Sequence, residues 1–501
     1  MFTSKSVNIK LYITMKATDC SYRFVLLFFA CLLTFGMYFS FDLPGVLQHR
    51  LEGITNCTDN STRFNETCVQ CEGCLGMSSR QFNILYAIYA WTNAVVVIGA
   101  GVLVDRLGNR VGLLLFSFLC LLGTSLFAVG TMLKDTSAMF PLMLAGRLIF
   151  GSGGGSLTVV QSTVTAYWFK NKELAFAFAC KTAMSRVASV LNFFFTESFA
   201  SQFGLVLAVW NGAILCGVAF ISAIIVSIMD IHGVKQLGDH QSLQTESKKF
   251  KLSDIKQFTL TYWLLVMTVM FYYVSLLPFM ADASFFVHQK YGYSPRMSSI
   301  IVGVVYDLSI VLVPFIGMVI DRIGKRGIMM LMCSFMMIPV YTVLAFTHIH
   351  PVIVTVWLGI TYSVASAVIW PSIPIVVKQS MLGTAMGVNN SIQMFGVGGA
   401  NLVVGEILGK NNSLTEEERL VRWKYMMIFL MGTAIACFTA AVFVNICDAN
   451  RGGILNQSRK QMLQSKFLET EKTISVEPST EKDNNVSDEK QPLLGTVQTI
   501  N

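Results

Sequence analysis

Apolar runs about twenty residues long, separated by short polar breaks, repeat along this chain from residue 22 to residue 447. Wound as a helix, a run of that length matches the hydrocarbon thickness of a bilayer, so each reads as a membrane span. The first covers 22–41. Its length suits a full span, and no small-residue cleavage site follows that would make it a signal peptide. Further spans are predicted near 82–104, 111–132, 141–164, 172–197 and 205–229. After a polar interruption at 230–258, six more follow near 259–281, 298–320, 327–347, 352–377, 383–408 and 424–447. The pattern predicts an all-α membrane protein of twelve transmembrane helices in two six-helix bundles, 22–229 and 259–447, joined by the 230–258 linker. Residues 1–21 form a polar lead, and 448–501 a polar tail expected to be disordered.

The breaks carry a symmetry of their own. Gly101-Val-Leu-Val-Asp105-Arg106-Leu-Gly108-Asn-Arg110 separates the second and third spans, and Gly317-Met-Val-Ile-Asp321-Arg322-Ile-Gly324-Lys-Arg326 the eighth and ninth. Recurrence in register makes the two halves pseudo-symmetric copies. The glycines allow a tight turn, while the Asp and Arg residues can pair at the water boundary or face a helix end. The decamer resembles the loop signature of the major facilitator superfamily. Arg147-Leu-Ile-Phe-Gly151-Ser-Gly153 resembles that superfamily's R-x-x-x-G-x-G pattern in helix four. The resemblance implies two bundles rocking about a central substrate site. In it Asp105, Arg106, Arg110, Arg147, Asp321, Arg322 and Arg326 act in gating or in pinning helices. The run Gly151-Ser-Gly-Gly-Gly155-Ser lacks the Lys-Ser/Thr ending of a phosphate loop, and close helix packing accounts for it better.

With 53% hydrophobic and 13% charged residues, the chain is too apolar for an ordinary soluble protein. Its net charge of +8 is explained by Lys and Arg gathered on one side of the membrane, without nucleic-acid binding. Lys5, Lys10, Lys16, both decamers, Lys170, Lys172, the linker and Arg451 put that side, and both termini, in the cytoplasm. Arg419, Arg422 and Lys424 depart from this bias. Loop 44–81 then faces a lumen, with glycosylation acceptors at Asn56, Asn60 and Asn65, and Asn411 is a fourth on the same side. The same loop holds Cys57, Cys68, Cys71 and Cys74. Two disulfides with three possible connectivities are the favoured reading, and Cys71-Glu-Gly-Cys74 as half a zinc site is the alternative. No metal-ligand spacing among the histidines and no hydrolase constellation appears, so neither an enzyme nor a cofactor is expected.

Charge inside a span is costly, which makes Lys181 and Arg186 in helix five and Asp307 in helix eight candidates for substrate binding. A salt bridge pinning helices is the plainer reading of each, and a lysine can also snorkel. Trp370-Pro371-Ser-Ile-Pro374 is expected to break helix ten, with Trp370 capping a ligand. Tyr306, Asn389, Asn390 and Gln393 are further polar groups for a path. Ala166-Tyr-Trp168-Phe169-Lys170-Asn-Lys172-Glu173-Leu174, Met184-Ser-Arg186, Leu382-Gly383-Thr384-Ala385 and Asn450-Arg451-Gly-Gly453 are similar to the superfamily's lysosomal dipeptide carriers.

That likeness implies uniport of dipeptides, cationic ones included, from lysosome to cytosol, with an accessory single-span lysosomal glycoprotein as partner. It puts Arg186 on the peptide carboxylate and Tyr306 and Trp370 around the pocket. In three places the chain departs from that pattern. Gly155 stands where the pattern has an acid, Lys181 where it has a neutral amide, and Asp307 where it is apolar, so Asp307 is expected to replace the lost acid. The chain's own glycosylation acceptors and cysteines suggest less dependence on the accessory protein. Asp488-Glu489-Lys-Gln-Pro-Leu493-Leu494 resembles the acidic dileucine signal read by clathrin adaptors. Two other readings stay open. One is a proton-coupled carrier of small organic anions, with Arg186 binding and Asp307 titrating. The other is a membrane scaffold, which would need no polar midplane. The bilayer and a small molecule are the partners throughout, and a homodimer is compatible with the pattern.

Overall fold

The computed structural model describes residues 17, 19–53, 74–169, 174–237, 257–377, 382–409 and 416–457. Twelve long helices run through them. The first half comprises α1 (Cys20–Val46), α2 (Ser79–Leu107), α3 (Asn109–Met132), α4 (Met139–Phe169), α5 (Leu174–Phe203) and α6 (Leu205–Leu237). The second comprises α7 (Leu260–Tyr291), α8 (Pro295–Ile323), α9 (Arg326–Phe346), α10 (Pro351–Val376), α11 (Leu382–Leu408) and α12 (Glu416–Ala449). A short helical turn, Gln48–Glu52, follows α1. Among the described residues, eleven of the twelve contain a stretch long and apolar enough to cross a membrane. Phe28, Phe118, Ile214, Ile221 and Phe443 stand exposed on the outside of the body, as lipid-facing side chains do.

Several helices overrun the predicted spans, because a hydropathy window stops at the first polar residue and a helix need not. Helix α1 continues past Phe41 through Asp42 to Val46. Helix α6 continues to Leu237, so the start of the expected linker is helical. Asp230 is tolerated there because Arg110 of α3 and the Trp168 indole N–H of α4 both donate to it, at 2.6 and 2.9 Å. The first residues of the expected tail are structured. Residues 448–457 fold back as a small cap, in which the buried Leu455 donates its N–H to Asp448 at 3.2 Å and Asn456 accepts from Ile328 of α9. The expected break in α10 is absent, since the helix runs through Pro371 and Pro374 before ending at Val376. Two prolines so near a helix end free only the carbonyls of Ala367 and Trp370 from their usual donors, which the last turns accommodate.

An even number of crossings brings both ends of the helical body to one side, here the terminal side; the α1–α2 connection marks the loop side. On the loop side the halves are tied together. Arg80 of α2 pairs with Glu406 of α11 at 2.6 Å. Gln48 and Asn83 donate to the buried Asp282 of α7 at 2.5 and 3.4 Å. Nearer the middle, the Trp91 indole donates to the Phe395 carbonyl at 3.2 Å, and the Ser391 hydroxyl to that of Ala94 at 2.7 Å. Among the described residues, these ties between the halves lie on the loop side and near the middle.

Candidate functional site

Between the halves, near the middle of the body, the side chains change character. Arg186 of α5 sits 4.4 Å from the ring centre of Tyr362 in α10, donates to its hydroxyl, and lies 5.9 Å from the ring of Tyr306 in α8. Tyr306 packs in turn on Tyr362 and on Phe193, with ring centres 6.0 and 5.7 Å apart. Trp370 donates to the Tyr273 hydroxyl of α7 at 2.7 Å, closing the aromatic wall. Helix α1 supplies the opposite charge. Asp42, buried, meets the side chains of Ser189 and Tyr306 and shares its surroundings with the guanidinium of Arg186. Tyr38, one turn back, faces Arg186, Asp42 and Tyr273. The Arg186 guanidinium and the Asp42 carboxylate thus lie within electrostatic reach of each other, with Arg147 also acting on Asp42, among aromatic rings drawn from both halves. Such a place suits a small zwitterion, offering one charged partner to each end and apolar faces between.

Of the residues singled out in the sequence, Arg186, Tyr306 and Trp370 converge here. Asp307 follows Tyr306, about 100° further round the helix. It is half-buried and makes no hydrogen bond or ion pair among the described residues. The acid of the cluster is Asp42, which the predicted span had left in the loop by ending at Phe41. Its signal was present nonetheless, because positions 31, 38 and 42 fall on one face of a helix extended by a turn. Lys181 lies apart from Arg186: its ammonium donates to the Ser162 hydroxyl of α4 and sits 5.1 Å from the Phe178 ring. Asn389 and Gln393 are buried in α11, with the Asn389 amide and the Gln393 carbonyl oxygen free of hydrogen bonds among the described residues.

Arg147 is 2% exposed and boxed by the rings of Tyr86, Phe127 and Phe150, at 5.1, 5.2 and 5.8 Å, with a 3.4 Å hydrogen bond to the Phe41 carbonyl. It ties α1, α2, α3 and α4 together. The glycines of its helix are packing glycines. A Cβ at Gly151 would lie 2.6 Å from the Tyr89 carbonyl oxygen, and one at Gly153 2.7 Å from that of Phe116. Beside Gly155 the space is filled by the Asn93 side chain of α2. In the repeated decamers, Gly108 and Gly324 take positive φ of 87° and 73°. Arg110 finds its partner in Asp230 of α6, and Arg326 is half-buried at the head of α9. The side chains of Asp105, Arg106, Asp321 and Arg322 lie outside the description. So do Asn56, Asn60, Asn65, Asn411, Cys57, Cys68, Cys71, Glu489, Leu493 and Leu494. Cys74 is buried against Gly53. Just before it on the loop side, His49 has its proton affinity pushed down from 6.5 to about 4 by burial, by the facing ring of His288 at 4.9 Å and by Arg50. No cluster of metal-ligating side chains occurs among the described residues.

Comparison with known proteins agrees with this architecture. The Major Facilitator Superfamily model matches residues 24–401. The lysosomal dipeptide transporter MFSD1 of Homo sapiens is 30% identical over 90% of this chain and 92% of its own, and that of Danio rerio 30% identical over 87% and 89%. Among solved structures, a point mutant of the nucleoside transporter NupG superposes with a TM-score of 0.61 at 14% identity, over 83% of this chain and 99% of that one. A point mutant of the peptide transporter POT in complex with alafosfalin gives 0.60 at 11%, over 83% and 94%. At such identities the structures speak for the fold alone. The matched model and the relatives along most of the length carry the assignment: this multi-pass membrane protein, a transporter rather than an enzyme, belongs to the major facilitator superfamily.

Proposed function

We propose that this transporter carries dipeptides from the lysosomal lumen to the cytosol by alternating access, as a uniporter. The observation that carries the reading is the Arg186 guanidinium set among Tyr362 and Tyr306 between the halves, with the Asp42 carboxylate within its electrostatic reach. Arg186 takes the peptide's carboxylate in a charge-assisted hydrogen bond, Asp42 takes the amino group, and Tyr306, Tyr362 and Trp370 cover what lies between. Cationic dipeptides are held by the same two termini. The names of the relatives support dipeptides and the lysosome. In this reading the loop side is lumenal and the terminal side cytosolic, and the loop-side ties between the halves fit a state closed to the lumen. The loop is glycosylated at Asn56, Asn60 and Asn65 and cross-linked through its cysteines, and the protein is sorted by Glu489, Leu493 and Leu494 through a clathrin adaptor. An accessory single-span glycoprotein is a partner on which this chain depends less than its relatives do, because it carries its own loop shield.

A second reading, proton-coupled carriage of small organic anions, draws on Asp307, half-buried and without a partner among the described residues. Uptake of a labelled dipeptide into proteoliposomes, with and without a pH gradient, separates the two. The dipeptide reading expects uptake indifferent to the gradient and lost in Arg186→Ala. Net charge movement driven by the gradient, with no dipeptide uptake, would favour the second.

A further inference from the structure

Helix α1 presents a single face to α5, and along that face the charges follow an order. Asp42 and Tyr38 stand opposite Arg186, while Cys31, two turns nearer the terminal side, stands within electrostatic reach of Lys181. The two helices run parallel, both entering from the terminal side. Lys181 therefore precedes Arg186 by five residues, about 7.5 Å along the axis toward the terminal side. Its ammonium does not snorkel to water. It turns across to the Ser162 hydroxyl of α4 and rests beside the Phe178 ring. No carboxylate lies within ion-pair distance of it among the described residues, whereas Arg110 has Asp230 and Arg50 has Glu197; Arg147 and Arg186 likewise have none, but each lies over aromatic rings from more than one helix.

We infer that Lys181 forms a side-chain subsite of the proposed dipeptide site, selecting dipeptides whose second residue is acidic. The inference rests on the reading that Arg186 and Asp42 hold the peptide termini. A neutral dipeptide uses up those two charges and leaves the Lys181 ammonium uncompensated in a poorly hydrated place. A glutamate side chain on the C-terminal residue starts beside the carboxylate held at Arg186 and extends toward the terminal side, where its own carboxylate meets Lys181 and Ser162. A lysine in that position brings two ammonium groups together where little water screens them. Position 181 thus sets preference by charge, while the termini set the dipeptide class. The rocking motion is unaffected by which side chain is carried.

The test compares uptake of labelled Ala-Glu, Ala-Gln and Ala-Lys into proteoliposomes by the full-length protein and by Lys181→Gln, Lys181→Arg and Lys181→Glu. In the native protein the ratio of kcat/KM for Ala-Glu over Ala-Lys is expected to exceed about tenfold. Lys181→Arg keeps that ratio, Lys181→Gln brings it near unity, and Lys181→Glu inverts it. Because each readout is a ratio within one preparation, differences in folded yield cancel. Thermal melting of each variant with Ala-Glu and with Ala-Lys repeats the ranking should turnover be too slow to measure. An unchanged ratio in Lys181→Gln and Lys181→Glu overturns the subsite while leaving the dipeptide site intact. Native protein that takes up none of the three dipeptides overturns the dipeptide reading and the subsite with it.

Discussion

Half-buried between the halves, the Arg186 guanidinium needs compensation that lipid cannot give, and Tyr362, Tyr306 and Asp42 supply it. In the empty site they compensate one another; with a dipeptide bound, each charge gains a partner of its own. Truncating one member of such a pair typically costs roughly 2–5 kcal/mol. Arg186→Ala and Asp42→Asn are therefore each expected to lower dipeptide uptake by more than about tenfold. Arg186→Lys keeps the charge but not the planar fork, and is expected to restore only part of the activity. Uptake assays on protein matched for folded content check all three. At this scale the sequence was half legible. Arg186 announced itself as a charge far from either boundary. Asp42 did not, because a carboxylate one residue beyond an apolar run looks like the start of a loop until the helix is seen to continue. Asp307 drew attention for the same cost argument, yet no residue described around it responds to it.

Element by element, close approach and burial set the tolerances. Helices α3 and α4 touch through glycine, since a Cβ at Gly146 would lie 2.6 Å from the Phe127 amide nitrogen and 2.7 Å from the Gly123 carbonyl oxygen. Backbone atoms cannot move aside as side chains do, so Gly146→Leu is expected to destabilise by at least the ~1–3 kcal/mol of ordinary overpacking. The check is a lower melting temperature and a smaller monodisperse yield. On the loop side, His49 is held neutral to about pH 4 instead of 6.5. As pH falls through that window the unfolded chain gains a proton that the folded chain refuses, so stability declines from 6.5 toward 4. His49→Gln removes this contribution and should flatten melting temperature against pH across the same window; an unchanged slope would count against it. The helix pattern itself was legible from apolar run length. Its ends were not, because Asp42, Asp230 and Asp448 are polar residues that helices keep by giving them partners.

For the whole molecule, the contacts between halves decide which state is seen. Loop-side ties through Arg80 and Glu406, Asp282 with Gln48 and Asn83, and Trp91 with Phe395 must all separate for the opposite state to form. A Cβ at Gly405 would sit 3.4 Å from the Arg80 Cα, near enough for a disulfide between Arg80→Cys and Gly405→Cys. Oxidation of that double variant should stop transport and reductant should restore it, whereas transport that persists in the cross-linked form would exclude rocking about this closure. The repeated decamers made the two-half architecture legible before any coordinates. Which side the ties between the halves close was not, since it depends on packing between α2 and α11 that no local motif encodes. The claim on which the rest turns is that both ends of one dipeptide are held between the halves. Counterflow of labelled Ala-Ala, competed by unlabelled Ala-Ala, its C-terminal amide and its N-acetyl derivative, tests it most directly. Both capped peptides should compete at least about tenfold more weakly than the free one; equal competition by either would show that Arg186 or Asp42 does not hold that end.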